Sequence, residues 1–313
     1  MSHFIIDCDP GHDDAVALMV AARYLPLVGV TTVFGNSSVE NTTRNALAIL
    51  DAAGLSHIPV AAGAAGPLKG KTHSGESVHG KTGLDGASFP PSTREPSRLA
   101  ATEFIAEQAE RYDDLVIIAI APQTNLATAL ARYPGIKDRL AGISVMGGST
   151  SFGNATAAAE FNIFADPEAA GAVFDSGIPV YMAGLNVTTQ FGVTRQDVEY
   201  LIASDAVIAR ELGKALEFYL SRQTAMYLRP YAPVHDVCAV LPFSHPGLLK
   251  HEPMHVQVEC EGRYTRGMTL CDQRGTIAGD GIAPALPANA EVAIAADGPA
   301  IVRLLLDTLT EFP

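Results

Sequence analysis

The stretch His3-Phe4-Ile5-Ile6-Asp7-Cys8-Asp9-Pro10-Gly11-His12-Asp13-Asp14 constrains this chain more than any other. A short apolar run leads directly into four carboxylates, and a second apolar run follows from Ala15 to Ala22. The pattern predicts a buried strand, a Pro-Gly turn and a helix, with the acids gathered at the strand-to-helix junction. Carboxylates this close repel one another at neutral pH unless a cation or bound protons offset them. In an open parallel sheet this junction lies at the carboxyl edge of the strands, where ligands bind. The stretch therefore predicts a metal-dependent active site.

The remaining sequence supports such a sheet. Leu27 to Val33 reads as a second strand, a helix capped by Ser38 or Asn41 runs to Ala53, and Ile58 to Ala62 reads as a third strand. Residues 63–97 break the rhythm with Gly, Ser, Pro and His, and are expected to form either a lid over the site or a solvated excursion. The alternation resumes with a helix from Arg98 to Tyr112, a strand from Leu115 to Ala119 and a short helix to Ala131. Strands follow at Ile143 to Met146 and Val180 to Ala183, with a helix opened by Asp166-Pro167-Glu168 between them. Residues Thr194 to Tyr227 read as two helices parted near Ser204-Asp205. The tail predicts an antiparallel pair, Val256 to Glu259 with Thr265 to Leu270, then a strand at Val292 to Ala295 and a helix from Pro299 to Leu309. The expected fold is α/β: an open, mostly parallel sheet flanked by helices, with a Rossmann-like core and a small antiparallel addition near the C-terminus. With no repeat and no Pro/Ser-rich linker, residues 1–313 are expected to form a single domain.

Composition narrows the function. The chain has 313 residues, 48% of them hydrophobic and 18% charged, enough for a large core. A formal charge of −13 disfavours nucleic acid or an anionic membrane as partner. Asp7 interrupts the first apolar run, so no secretory signal is expected there, and no run reaches the ~18–20 apolar residues of a membrane span. Cys8, Cys238, Cys260 and Cys271 form no CxxC pair and no zinc-type spacing, and are expected to be buried thiols of a cytoplasmic protein.

Asp9 and Asp14 are the pair assigned to metal, one ending the strand and the other in the first helical turn. No Cys/His grouping accompanies them, which favours Ca²⁺ or Mg²⁺ over zinc. The plainer alternative is that the acids cap the helix N-terminus, which accounts for one or two of them and not for four. An EF-hand is excluded, because its loop needs Gly sixth and Glu twelfth where this chain has His12 and Leu18. Further polar residues follow other strand ends: Asn36, Thr124 with Asn125, Met146 to Gly148, and Asn186.

Asp7-Cys8-Asp9-Pro10-Gly11-His12-Asp13-Asp14-Ala15 resembles the signature of the inosine–uridine-preferring nucleoside hydrolase family. The resemblance extends through Val33 to Asn36, Val145 to Gly148, Ala159 to Ile163, Asp166 to Ala170 and His235-Asp236, in order over nearly the whole chain. It implies a Ca²⁺ ion held by Asp9, Asp14, the Thr124 carbonyl and Asp236, with the ribose hydroxyls and an attacking water also on the ion. It further implies Asp9 as the base and Asp13 as a ribose partner. Asn154, Glu160 and Asn162 would grip the sugar, with Asn36 beside water and metal, Met146 lining the substrate site and His79 near the base. His235 would be the general acid toward the leaving base. One departure is Ala121-Pro122-Gln123 before Thr124-Asn125, where the family commonly has a Gly-rich turn; a carbonyl ligand depends on backbone geometry, so Thr124 is retained. Purine-specific relatives sandwich the base between tryptophans, and this chain has none, so nonspecific or pyrimidine-preferring hydrolysis of uridine, cytidine or inosine is expected. Tyr219, Gln223, Tyr227 and Tyr231 are candidates to touch the base, Tyr227 foremost. Relatives suggest a homodimer or homotetramer.

Two other functions compete. A haloacid-dehalogenase-type phosphatase also opens with Asp-x-Asp, but Pro10 and the second acid pair count against it. A nucleoside-binding protein without catalysis would not need the intact set Asp9, Asp13, Asp14, Asn162 and Asp236.

Overall fold

The computed structural model describes residues 2–274 and 286–313. Strand β1 (His3–Cys8) leads through the Pro-Gly turn into α1 (His12–Tyr24). Next come β2 (Leu27–Thr32), α2 (Val39–Ala52), β3 (Val60–Ala62), α3 (Glu76–His79), α4 (Ala101–Arg111), β4 (Leu115–Ala119) and α5 (Thr124–Arg132). The middle of the chain forms β5 (Leu140–Met146), α6 (Phe161–Ala165), α7 (Pro167–Phe174), β6 (Val180–Ala183) and α8 (Leu185–Thr188). It continues with β7 (Val193–Thr194), α9 (Arg195–Ile202), α10 (Val207–Tyr227), β8 (Tyr231–Ala232) and α11 (Val237–Ser244). The chain closes with β9 (Leu249–Val258), β10 (Thr269–Asp272), β11 (Ala290–Ala296) and α12 (Gly298–Thr310).

The main sheet has the order β10-β9-β11-β6-β5-β4-β1-β2-β3. From β11 to β3 neighbours pair parallel, and β9 pairs antiparallel with both β11 and β10. The order β3-β2-β1-β4-β5-β6 is that of a Rossmann-like core, and it reverses between β1 and β4. The crevice beyond the carboxyl ends of β1 and β4 is thus where a ligand is expected, and the acid cluster follows β1.

The central strands are predominantly apolar because both faces of the sheet are covered, with polar residues such as Asp7, Thr31 and Thr32 near their carboxyl ends. Alternate residues enter opposite layers, as the two-residue period requires. Phe4, Ile6, Cys8, Val116 and Ile118 pack in the layer with α1, α2, α10, α11 and α12. Ile5, Leu115 and Ile117 pack on the other side with α4, α5 and α7. α1 is buried from His12 to Ala21, which explains its lack of a polar face.

Several boundaries differ from the sequence reading. The antiparallel addition is present, but its first strand begins at Leu249 and its second spans Thr269–Asp272, with Thr269 opposite Val258. β9 pairs with β11, so this addition extends the main sheet instead of standing apart. Lys250, His251, Glu252 and Pro253 alternate too weakly in polarity to have marked that longer strand. The short α6 has no counterpart among the expected elements; Glu160 caps it by accepting from the backbone N–H of Asn162 and Ile163, an uncommon choice of capping residue. The third strand is shorter than expected, starting at Val60.

Residues 63–97 are exposed at many positions yet anchored at several points. Leu68 N–H donates to Asp166, Ser88 N–H to the buried Glu211, and Arg94 binds Asp51 at 2.6 Å while donating to the carbonyls of Ser56 and Ile58. The segment is pinned along its length and forms a wall of the cavity described next.

Candidate active site

The acids of the opening motif are buried, and each has a different setting. Asp7 accepts from Thr31 Oγ1 at 2.6 Å and Asn125 Nδ2 at 2.8 Å, and its Oδ2 has no partner. Burial outweighs those two bonds and raises its pKa to about 6. Asp9 takes the Asn36 backbone N–H on Oδ2 at 2.6 Å, while its Oδ1 is buried without a partner. Gly35 makes this possible, because a Cβ there would lie 1.9 Å from Asp9 Oδ2. Asp14 reaches back to the backbone N–H groups of Asp9 and Gly11, both at 3.1 Å, and accepts from Asn36 Nδ2 at 2.9 Å. Capping of α1 and membership of an acid cluster are therefore both true of Asp14.

Carboxylate oxygens of Asp13, Asp14 and Asp236 all lie within 4.8 Å of one another. Asp236 comes from the start of α11 and closes the cluster from the far end of the chain. Burial, followed by the neighbouring acids, pushes Asp9 and Asp236 well above the usual carboxylate range and Asp13 up to about 8. Burial raises Asp14 too, against the hydrogen bonds it accepts. Such a set cannot hold its full negative charge without compensation. Its donors are all oxygens, which fits a hard cation such as Ca²⁺ or Mg²⁺; the nearby Asp9 Oδ1 is buried with no partner among the described residues.

A cavity of about 530 Å³ opens above the cluster. Asp13, Asn36, His79, Met146, Asn154, Glu160, Asn162, Tyr227, His235 and Asp236 line it. Asp9, Asp14 and Thr124, all buried, are not among its lining residues. The turn before α5 is held from two sides: Thr124 Oγ1 donates to Asp166 at 2.6 Å, and Asn125 bridges Asp7, the Thr32 carbonyl and Ala64 N–H.

One wall is the connection from β5 to α6. Both oxygens of Glu160 accept backbone N–H groups, from Gly148, Asn162 and Ile163, so this side chain shapes the wall as well as facing the cavity. Asn162 donates to the carbonyls of Ile120 and Met146, which ties the ends of β4 and β5 together, and its Oδ1 has no donor among the described residues. Asn154 accepts from Phe161 N–H and leaves its Nδ2 free.

The opposite wall comes from α3, α10 and the turn before α11. Tyr219, Gln223, Met226, Tyr227 and Arg229 line it, whereas Tyr231 turns away and donates to the Thr189 carbonyl. His235 Nδ1 lies 2.8 Å from Thr188 Oγ1. Burial, then the positive charge of Arg229, lowers its pKa to about 3. His79 is likewise pushed well below the usual histidine range by burial, and His12 to about 4. Arg229, Phe152 and Phe164 were not found by sequence reasoning, because they belong to no motif and reach the cavity only through the tertiary fold. His12 was visible within the motif but carried no assigned role.

The chain belongs to the inosine-uridine preferring nucleoside hydrolase family, whose model matches residues 4–303. It is 38% identical over 312 residues to the pyrimidine-specific ribonucleoside hydrolase RihA of Shewanella sp. (strain ANA-3), covering 98% of this chain and 96% of the relative. Among solved structures, a plant nucleoside hydrolase, PpNRh1, superposes with a TM-score of 0.91 at 32% identity over 99% of both chains. The purine-preferring ribonucleoside hydrolase from Gardnerella vaginalis gives 0.89 at 31% identity, covering 99% of this chain and 98% of its own. The protein is a ribonucleoside hydrolase.

Proposed function

We propose that the protein hydrolyses the N-glycosidic bond of pyrimidine ribonucleosides with the help of a Ca²⁺ ion. The observation that carries this reading is the lining of one cavity. Asp13 and Asp236 line it together with the polar Asn154, Glu160 and Asn162 and with a group of His79, His235, Tyr219, Gln223 and Tyr227. Its volume lies within the ~300–1,000 Å³ of small-molecule sites. The RihA relatives are named as pyrimidine-specific, and this chain has no tryptophan with which to sandwich a purine.

Asp9, Asp14, Asp236 and the Thr124 carbonyl would hold the ion, with Asp13 beside them. When bound, the ion supplies the positive charge that lets these carboxylates ionise together and makes a water more acidic. Asp9 accepts the water's proton on Oδ1, the oxygen that no protein donor occupies. Asp13 accepts a hydrogen bond from the ribose. As the glycosidic bond lengthens, positive charge builds on the sugar, and the carboxylates together with the free Oδ1 of Asn162 stabilise it. In the free protein His235 is neutral, so donating a proton requires it to gain one in the substrate complex, where negative charge growing on the base favours the imidazolium. The four thiols, none in a disulfide, fit a reducing cytoplasm. Among the described residues no helix is long and apolar enough to cross a membrane.

Ribose release from uridine, cytidine, inosine and adenosine tests the reading. Uridine and cytidine are expected to be the best substrates, with activity lost to a chelator and restored by Ca²⁺. No ribose from any of the four at high enzyme concentration would sink it, and a clear preference for inosine would sink the base assignment. His235→Ala is expected to lower kcat about 10²- to 10⁴-fold on uridine and far less on a riboside whose leaving group needs no proton. Equal losses on both would remove the general-acid role.

A further inference from the structure

His12 sits between the Pro-Gly turn and the paired acids, and neither the metal set nor the sugar wall uses it. It is fully buried at the first position of α1. Its Nε2 lies 2.9 Å from the Asp85 carbonyl oxygen, and its Nδ1 lies 3.0 Å from Nδ1 of His79. A carbonyl oxygen can only accept, so the Asp85 contact places the His12 proton on Nε2. A neutral imidazole has one N–H, so His12 Nδ1 then carries a lone pair and is the acceptor toward His79. The His79 proton is thereby fixed on Nδ1. His79 Nε2, left with its lone pair, has no protein partner among the described residues, and the ring lines the cavity.

One contact pulls the other way. The backbone N–H of His12 also approaches His79 Nδ1, at 3.4 Å. Taken alone it would favour a lone pair on that atom, with His12 donating from Nδ1. That arrangement would set a bare His12 Nε2 against the Asp85 oxygen, two lone pairs 2.9 Å apart. The shorter contact, to a group that can only accept, decides between them. The rings are also held in place: His12 and His79 lie 5.1 Å apart at 24°, and Tyr219 stacks on both at 5.3 and 5.4 Å. Gly11 permits the approach, since a Cβ there would lie 2.6 Å from His79 Nδ1.

Building on the nucleoside hydrolase reading, we propose that His12 is a positioning residue that fixes His79 as a hydrogen-bond acceptor toward the nucleobase. The site then favours a base edge that presents a ring N–H, as uracil does at N3, over one that presents a bare ring nitrogen, as cytosine does. In this arrangement His79 has no proton to give the leaving base, which leaves that task to His235.

Nitrogen-15 NMR of the histidine-labelled free protein reads the tautomers directly. His79 is expected to be protonated at Nδ1 and His12 at Nε2. In His12→Phe, which keeps a stacked ring and loses the acceptor, His79 is expected to move to Nε2–H. The uridine-to-cytidine ratio of kcat/KM is then expected to fall about tenfold, the scale of one hydrogen bond. His12→Asn, whose side-chain oxygen can replace Nδ1, is expected to restore most of that ratio. Should His12→Phe fail to fold, wild-type turnover of N3-methyluridine serves instead, with an expected loss of about tenfold or more against uridine. An Nε2–H on His79 in the wild type, an unchanged ratio in a folded His12→Phe, or equal turnover of the methylated substrate would overturn the proposal. A protein that releases no ribose from any nucleoside would overturn it together with the hydrolase reading, whereas the tautomer is measured without substrate and fails by itself.

Discussion

Asp9→Ala is expected to lower kcat/KM on the best nucleoside by about 10³-fold or more, because one change removes both a proposed cation oxygen and the proposed base. The geometry makes the change specific. Asp9 Oδ2 holds the Asn36 backbone, and Asn36 in turn bridges to Asp14, so loss of the carboxylate also loosens one neighbour. Asp9→Asn separates these contributions. Asn keeps an oxygen able to accept from Asn36 N–H but cannot take a proton from water, so kcat should stay low while cation binding recovers in part. Measurement of kcat/KM alongside Ca²⁺ titration calorimetry for both variants checks this. Activity of Asp9→Ala within a few fold of wild type would remove Asp9 from the site.

Removal of the cation should destabilise the protein in a pH-dependent way. Asp13 is held at about 8 and Asp7 at about 6 in the fold, and Asp9, Asp14 and Asp236 are also raised, whereas an unfolded aspartate titrates near ~3.9. Between those values these acids bind more protons in the folded, cation-free protein than in the unfolded chain. The contribution of these acids to stability is therefore fully present at low pH and falls as pH rises toward 8, by about 1.4 kcal/mol per pH unit for each excess proton. The buried His12, His79 and His235, with lowered pKa values, act in the opposite sense at low pH whether or not a cation is bound. A bound cation replaces the protons on the acids and removes their slope. Thermal unfolding at pH 5.5 and pH 8, with chelator and with excess Ca²⁺, checks the sign. The rise in Tm on adding Ca²⁺ is expected to be several degrees larger at pH 8. A rise independent of pH would contradict the compensation of buried acids by the ion.

Much of the fold and floor of this site was legible in the opening stretch, because both depend on local signals. Apolar strands entering a Pro-Gly turn and paired acids specify a βα junction, and the strand-helix rhythm specifies the sheet that places it at a switch point. The walls were less legible for a physical reason. Arg229, Phe152 and Phe164 reach the cavity because α10 and the β5–α6 connection fold over it, and no spacing in the sequence encodes that approach. Glu160 was legible as a candidate site residue, but its work in capping α6 through the N–H groups of Asn162 and Ile163 while also holding Gly148 N–H was not, since Glu is an uncommon cap. The His12 to His79 contact joins positions far apart in sequence, and either histidine alone looks like an ordinary buried ring.

The closure of the acid cluster by Asp236 has a consequence for biosynthesis. Chains emerge from the ribosome N-terminus first, so Asp7 to Asp14 appear early and Asp236 late. Throughout that interval a nascent chain carries Asp7 to Asp14 without His235 and Asp236, and for most of it without α10 (Val207–Tyr227) as well. No partly synthesised chain ending before Asp236 can contain the complete cluster of Asp13, Asp14 and Asp236. Appearance of turnover therefore marks the point at which the two distant parts of the polypeptide have met.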